Sequence, residues 1–302
     1  MILIGENIHV VSKPVQNALI ERDEEFIAEL IKAQQDMDFI DLNVGPAKNK
    51  LEGILPWLVN LVQKYSKLNV SFDTTNSEEM EKGLEAFKGE SFINSTSKDE
   101  PRLEKMTDLA IKFNSNLIAL TLSKETGIPK TSDGRLEIAF DIYEKCIEKG
   151  IDNEKLYFDP LILPVCVEQS QAFEALSTIQ MIKESFDPPV KTVIGLSNIS
   201  NGCTQRHLLN RVFASLAYGA GLDAAIIDAK DLELVRIIRM LENGIPQKET
   251  DNLYLNLSDM IRNFAQLEDI NFDENSKEQI EIIKAASILL NYEIYSPSFT
   301  QI

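Results

Sequence analysis

Short apolar runs recur along the chain at intervals that leave room for one helix between consecutive runs. Eight runs predict β-strands, at residues 1–7, 39–45, 69–74, 91–96, 116–122, 156–161, 191–198 and 223–229. Helical periodicity predicts helices between and after them, at about 22–36, 51–66, 77–88, 101–113, 134–149, 169–185, 206–219 and 277–291. The alternation predicts an α/β fold in which helices cover a parallel sheet.

Eight strands and eight helices in strict alternation favour a closed (β/α)8 TIM barrel. The alternative is an open, doubly wound sheet, but no GxGxxG turn follows the first strand and the chain has no GxxxxGK[ST] loop. We therefore expect a single barrel domain over residues 1–302. An acidic insertion at about 243–276, with one short helix near 257–266, is interpreted as a surface decoration.

The overall composition excludes several classes of partner. A net charge of −18 argues against nucleic acid, which requires clustered lysine and arginine. No apolar run is long enough to cross a bilayer, and the N-terminus lacks the features of an export signal. We therefore expect a cytoplasmic protein with no membrane partner.

Metal-binding signals are weak in this sequence. The three cysteines are far apart and form no CxxC motif, which fits a reducing compartment without disulfides. The two histidines, His9 and His207, are interpreted as structural. No bound metal is predicted.

Polar residues cluster where the predicted strands end, which is where barrels of this kind place their active sites. They are Glu6, Asn7, Asp41, Asn43, Asp73, Asn76, Asn94, Asp159, Ser197, Asn198 and Asp228. Carboxylates accept hydrogen bonds from paired N–H groups, and carboxamides both donate and accept. The set suits a ligand with several N–H donors and a few ring acceptors, such as a reduced pterin or a guanine-like ring.

Local structural roles remain open for the same residues. Asp73 and Asp159 are the best candidates for a bidentate contact with such a ring, but aspartate at a strand end equally fits a helix cap or a loop anchor. Asn198 fits a turn residue ahead of the helix that begins near Arg206.

Eight segments, in order, resemble the methyltetrahydrofolate:corrinoid protein methyltransferases. They are LIGENI, DLNVGP, FDTTN, INSTS, LTLSKETGIPKTSDGR, DPLILP, GLSNIS and LDAAIIDA, and the likeness resumes in ILLNYEIYSPSF at 288–299. Within that family the chain is most similar to the acetogenic enzyme that serves the corrinoid iron–sulfur protein and to the tetrahydrofolate-side components of demethylase systems.

The resemblance implies a pterin-binding barrel, usually a homodimer. Such an enzyme moves a methyl group between N5 of the cosubstrate tetrahydrofolate and the cobalt of a corrinoid (cobalamin) held by a separate partner protein. GENIH, where the acetogenic enzyme reads closer to GERIN, and the 243–276 insertion favour a component of an O- or N-demethylase that forms methyltetrahydrofolate. The alternatives are the acetyl-CoA pathway methyltransferase and a non-catalytic folate-binding subunit.

The family motifs also imply roles for individual residues. Asp73, Asn94 and Asp159 match the residues that hold the pterin ring, and Asn198 matches the catalytic asparagine near N5. The other predicted substrate contacts are Glu6, Asn7, Asp41, Ser197, Asn201 and Arg206. The acetogenic enzyme carries glutamine at the position of Asn201, and Arg206 fits either the folate tail or the first turn of its helix.

A carboxamide suits the predicted position of Asn198 because N5 is protonated in one direction of the reaction and unprotonated in the other. An ionisable base would favour one state, whereas an amide serves both without changing charge. Dihydropteroate synthase, which shares the pterin barrel, is the main enzymatic rival. That family places basic residues at its seventh and eighth strands to bind diphosphate, but those ends read GLSN and IIDAKD here.

Overall fold

A computed structural model describes residues 1–301 and contains a closed barrel of eight parallel strands. The strands are β1 (Ile2–His9), β2 (Phe39–Gly45), β3 (Asn69–Thr74), β4 (Ser91–Thr96), β5 (Asn116–Leu120), β6 (Leu156–Asp159), β7 (Lys191–Gly195) and β8 (Ala224–Ile227). Each pairs with its neighbours in the sequence, and β8 closes on β1. The predicted TIM barrel is confirmed.

Helices connect the strands. In residues 1–301 they are α1 (Lys13–Glu21), α2 (Glu24–Lys32), α3 (Ile54–Tyr65), α4 (Ser77–Ala86), α5 (Arg102–Phe113), α6 (Ser132–Lys149), α7 (Ser170–Ser185), α8 (Arg206–Gly219), α9 (Leu232–Asn243), α10 (Asp251–Arg262) and α11 (Lys277–Leu289). The strict alternation of eight helices was wrong, because α1 and α9 were not predicted and α10 is the helix that was predicted within the insertion. None of these helices is both long enough and apolar enough to span a bilayer.

The seventh strand is shorter than predicted, and this changes the setting of Asn198. β7 ends at Gly195, and Leu196–Ser200 forms a 3₁₀ helix rather than the end of a strand. Asn198 therefore lies on a tight helical turn between β7 and α8. Such a turn presents consecutive side chains in different directions, since it has about three residues per turn.

An apolar layer closes the barrel interior beneath the strand ends. It is formed by Ile4, Phe39, Phe92, Ile118, Tyr157, Val193 and Ala224, one from each of seven strands. Phe92 packs edge-to-face against Phe39 and Tyr157, with ring centroids 4.8 and 4.7 Å apart. Because strand side chains alternate, the residue two positions further along each strand also points inward. This alternation brings the polar strand ends together above the layer.

The segment 243–276 is more than a surface decoration, and its helix begins at Asp251 rather than near residue 257. Leu253 and Leu257 of α10 are buried in the core formed with α8. Gly219 of α8 permits this contact, because a Cβ there would lie 2.2 Å from the carbonyl oxygen of Ser258. The single domain and the extent of the insertion remain predictions.

Candidate active site

A cavity of about 680 Å³ opens at the carboxyl ends of the strands. Nine of the ten predicted site residues line it: Glu6, Asn7, Asp41, Asp73, Asn94, Ser197, Asn198, Asn201 and Arg206. Asp159 does not line it. The volume lies within the range that accommodates a ligand the size of a pterin ring with part of its substituent.

Neighbouring strands β2, β3 and β4 form an acidic wall of this cavity. The register places Asn43 opposite Asp73, and Asp73 opposite Asn94. The amide nitrogen of Asn43 donates to the Asp73 carboxylate. Asp41, on the same wall, accepts hydrogen bonds from the Ser71 hydroxyl at 2.6 Å and from Asn94 Nδ2 at 3.3 Å.

The carboxyl groups of this wall are poorly solvated. Burial, together with the neighbouring charge of Asp73, raises the pKa of Asp41 well above its usual range. Burial raises the pKa of Asp73 to about 6, against the opposing effects of the Arg102 charge and the Asn43 hydrogen bond. A ligand that brings N–H donors would stabilise the ionised carboxylates, so the wall is suited to an amino-substituted ring.

Asp159 lies at the end of β6, two positions after the inward-facing Tyr157, and is only 9% exposed. Its Oδ1 accepts a hydrogen bond from the backbone N–H of Leu161 at 2.8 Å. Leu161 has a φ of 64°, a left-handed conformation that is rare for leucine. Asp159 therefore has the loop-anchor role that was left open as an alternative to ligand binding. Burial raises the pKa of this carboxyl to about 7, with the charge of Arg135 acting in the opposite direction.

Replacing Asp159 with asparagine is expected to stabilise the fold at pH 8 by about 2–4 kcal/mol. The raised pKa of Asp159 means that its stabilising contribution is fully present below about pH 4 and is lost as the pH rises through about 7. An amide avoids that loss and retains an oxygen for the Leu161 N–H. Urea unfolding at pH 8 and at pH 4.5 measures the effect, which should become small at the lower pH.

Asp152→Asn is the matched control, because Asp152 is exposed near the start of the same strand. It should leave the free energy of unfolding unchanged at both pH values. A loss of stability in Asp159→Asn at pH 8 would contradict the prediction, since it would mean that the ionised carboxylate stabilises the loop.

A chain of hydrogen bonds fixes one side of the Asn198 carboxamide. Arg206 Nη2 donates to Asn201 Oδ1 at 2.9 Å, and Asn201 Nδ2 donates to Asn198 Oδ1 at 3.2 Å. Asn198 Nδ2 donates to no other residue in 1–301 and is available to the cavity. Arg206 also donates to the Ser200 hydroxyl at 3.2 Å, so it orders the turn that carries Asn198.

The opposite wall is built from β1 and the residues that follow β8. The Ser197 hydroxyl donates to Glu6 Oε1 at 2.6 Å. Asn7 Nδ2 donates to Asp228 Oδ1 at 2.6 Å. Burial, followed by the charges of Asp228 and Asp41, raises the pKa of Glu6 to about 7, although the Ser197 hydrogen bond acts in the opposite direction.

Several cavity residues were not predicted as site residues: His9, Asn43, His207, Asn210, Asp228 and Asp231. His207 Nδ1 lies 2.7 Å from Asp231 Oδ2, and Asp231 also binds Arg211 and caps α9. Asn43 and Asp228 lie at the ends of predicted strands, as most of the predicted site residues do. Asn210 and Asp231 lie further along the connecting segments and gave no such signal.

Within residues 1–301, no group of three His, Cys, Asp or Glu side chains is arranged to hold a metal ion. The absence of a bound metal in the protein remains a prediction.

The sequence profile of the pterin binding enzymes matches residues 41–228, which is more than half of the chain. The chain belongs to the pterin-binding enzyme family. The matched range begins at Asp41 of the acidic wall and ends at Asp228 of the opposite wall.

Known relatives of this pterin-binding enzyme include methyltransferases. The methylcorrinoid:tetrahydrofolate methyltransferase of Eubacterium limosum is 25% identical over 242 residues, covering 79% of this chain and 89% of that protein. The methionine synthase of Mycobacterium tuberculosis is 28% identical over 263 residues, covering 82% of this chain and 21% of that much longer protein. These matches confirm the predicted family and the prediction that the chain is an enzyme.

Solved structures share the fold of this pterin-binding enzyme. A dihydropteroate synthase from Coxiella burnetii, in complex with pteroic acid, superimposes with a TM-score of 0.58 at 14% identity. The match covers 81% of this chain and 94% of that chain. At this identity the likeness concerns the barrel architecture alone.

Proposed function

We propose that this enzyme transfers a methyl group between N5 of tetrahydrofolate and the cobalt of a corrinoid protein. The observation that carries the proposal is one cavity that combines the acidic wall of Asp41, Asp73 and Asn94 with the oriented carboxamide of Asn198. The similarity to the Eubacterium limosum methyltransferase over most of its length supports the same reaction.

Recognition of the pterin is assigned to the acidic wall. Asp73 accepts from the ring N–H groups, and Asn94 supplies both a donor and an acceptor. Asp41 holds Asn94 in place through the hydrogen bond between its carboxylate and Asn94 Nδ2. A contact between the ring and Asp159 remains a prediction, because that side chain does not line the cavity.

Asn198 is assigned to the N5 region. The methylated corrinoid of the partner protein is the second substrate and supplies the methyl group. Because Asn201 occupies Asn198 Oδ1, the free Nδ2 keeps a defined orientation toward the cavity. A neutral amide held in place can stabilise charge that develops at N5 in either direction of the reaction.

We infer the biological setting of the enzyme from the family resemblance described above. The enzyme forms methyltetrahydrofolate as a component of an O- or N-demethylase, and it acts as a cytoplasmic homodimer with one pterin-binding domain. The name of the Eubacterium limosum enzyme, methylcorrinoid:tetrahydrofolate methyltransferase, puts the methylcorrinoid first and supports this direction. The acetyl-CoA pathway enzyme is the second candidate, and a non-catalytic folate-binding subunit is the third.

A methyl-transfer assay tests the proposal. Purified protein is mixed with tetrahydrofolate and a methylated corrinoid protein, and the cobalt spectrum is followed under anaerobic conditions. Demethylation of the corrinoid with formation of methyltetrahydrofolate is expected. The protein would instead be a non-catalytic folate-binding subunit if it bound folate tightly but transferred no methyl group with either a demethylase corrinoid protein or the corrinoid iron–sulfur protein.

Gly195→Ala is expected to slow methyl transfer by at least about tenfold while leaving the fold intact. The backbone of Gly195 (φ −79°) accepts alanine, but its Cβ would lie 2.8 Å from Asn198 Nδ2 and force the carboxamide to turn. The measurements are the transfer rate and the free energy of unfolding. If the effect acts through Asn198, the Gly195→Ala/Asn198→Ala double variant should be no slower than Asn198→Ala alone.

A further inference from the structure

We propose that Glu6, acting through the hydroxyl of Ser197, accepts the proton that N5 of tetrahydrofolate must lose when it is methylated. This inference rests on the proposed function and deepens it by assigning the proton transfer.

The reaction requires a proton acceptor in the direction of methyltetrahydrofolate formation. The N5 lone pair forms the new N–C bond, and the electron pair of the cobalt–carbon bond stays with cobalt. The N–H bond electrons then become the lone pair of the tertiary amine, and one proton leaves. Asn198 cannot take this proton, because a carboxamide does not titrate at neutral pH.

Among the carboxyl groups at the cavity, Glu6 is the one that accepts a hydrogen bond from a residue of the 3₁₀ turn that carries Asn198. Asp228 accepts from Asn7 Nδ2 and from the Lys230 N–H. Asp231 accepts from Arg211 and the Leu234 N–H. Glu6 accepts one hydrogen bond, from Ser197 to Oε1, and its Oε2 has no partner within residues 1–301.

Ser197 provides the connection between Glu6 and the reacting region. It precedes Asn198 on the same 3₁₀ turn and lines the same cavity. A hydroxyl can accept one proton while it donates its own. With Ser197 Oγ only 2.6 Å from Glu6 Oε1, a proton received by the hydroxyl passes directly to the carboxylate.

The surroundings of Glu6 suit reversible proton transfer near neutral pH. Asp41 on β2 and Asp228 after β8 raise its pKa, whereas Arg206 on α8 lowers it. His9, Asp73, His207 and Asp231 line other parts of the cavity. Burial is the main cause of the shift and, with the smaller effects of these charges, raises the pKa of Glu6 to about 7, so the carboxyl can take up and release a proton during turnover.

The test compares Glu6→Gln with the wild type, using methylcob(III)alamin and tetrahydrofolate as substrates. The wild-type kcat should rise with pH through an inflection near 7, since the carboxylate is the accepting form. Glu6→Gln should lower kcat by at least about tenfold, leave the KM for tetrahydrofolate within about twofold, and abolish the inflection. Glu6→Asp should restore part of the rate.

A second readout does not depend on turnover. Glu6 and Asp159 both have a pKa raised to about 7, so the infrared absorption of protonated carboxyls that titrate near pH 7 should be lost in part in Glu6→Gln and entirely in the Glu6→Gln/Asp159→Asn double variant. Asp228→Asn removes a charge that raises the pKa of Glu6, so it should move the inflection of kcat to lower pH.

The outcomes separate this inference from the proposed function. If the wild type transfers no methyl group either from methylcob(III)alamin or from a methylated corrinoid protein, the proposed function fails. If the wild type is active and Glu6→Gln keeps the same kcat and the same pH profile, the proton role of Glu6 is overturned. A change confined to the KM for tetrahydrofolate would also overturn it, because it would make Glu6 a binding residue.

Discussion

Replacing Asn198 with alanine is expected to slow methyl transfer by about 30- to 1,000-fold, which corresponds to about 2–4 kcal/mol of lost transition-state stabilisation. The carboxamide is held by Asn201 with its nitrogen free toward the cavity, so it requires little reorganisation during the reaction. Single-turnover rates with saturating tetrahydrofolate measure the effect, and the affinity for tetrahydrofolate should change much less than the rate.

Asn201→Ala is the matched control for this prediction. It removes the hydrogen bond that orients Asn198 but leaves the reacting carboxamide in place. We expect a loss of about tenfold or less, since an amide that is free to rotate still samples the productive orientation. An unchanged rate in Asn198→Ala would remove Asn198 from the mechanism.

Replacing Asp73 with asparagine is expected to weaken tetrahydrofolate binding by about 100-fold at pH 7.5. The substitution exchanges a carboxylate that accepts from paired N–H donors for an amide whose NH₂ group would face those donors. Because burial raises the pKa of Asp73 to about 6, wild-type affinity should also fall as the pH drops below 6. Calorimetric titration between pH 5 and pH 8 measures both effects.

Asp36→Asn controls for the loss of one negative charge. Asp36 is exposed and precedes β2, so it lies at the opposite end of the barrel from the cavity. Its replacement should leave both the affinity and its pH dependence unchanged. If Asp73→Asn bound tetrahydrofolate as tightly as the wild type, the acidic wall would not be the pterin site.

The fold was predictable because the barrel places a simple requirement on each strand. A strand covered on both faces must be apolar, and polar side chains are then confined to its ends. This pattern located Asp41, Asp73 and Asn94 at the site with no knowledge of their contacts. Helices α1 and α9 were missed although both carry a helix-start signal, Pro14 in the first turn of α1 and Asp231 at the cap of α9.

The end of β7 shows why local patterns mislead at a functional turn. The run KTVIGLSN continues the apolar signal past Gly195, but the chain leaves the sheet there and forms a 3₁₀ helix. Periodicity does not distinguish a strand end from a tight turn of similar composition. The predicted strand is too long by only three residues. The side chains of Ser197 and Asn198 nevertheless point in directions set by the 3₁₀ turn, not by the alternation of a strand.

The sequence by itself determined the barrel and which strand ends carry polar groups, since these follow from the alternation of side chains and from burial. Tertiary structure alone decided which groups meet. Glu6 and Ser197 are separated by 191 positions in the chain, and only closure of the barrel brings them within hydrogen-bonding distance. It also decided that Asp159 is buried against a loop while Asp73 reaches the cavity. Both carry the same local signal, but Asp159 accepts a hydrogen bond from the backbone of the loop that follows its strand, whereas Asp73 accepts one from Asn43 on the neighbouring strand and lines the cavity.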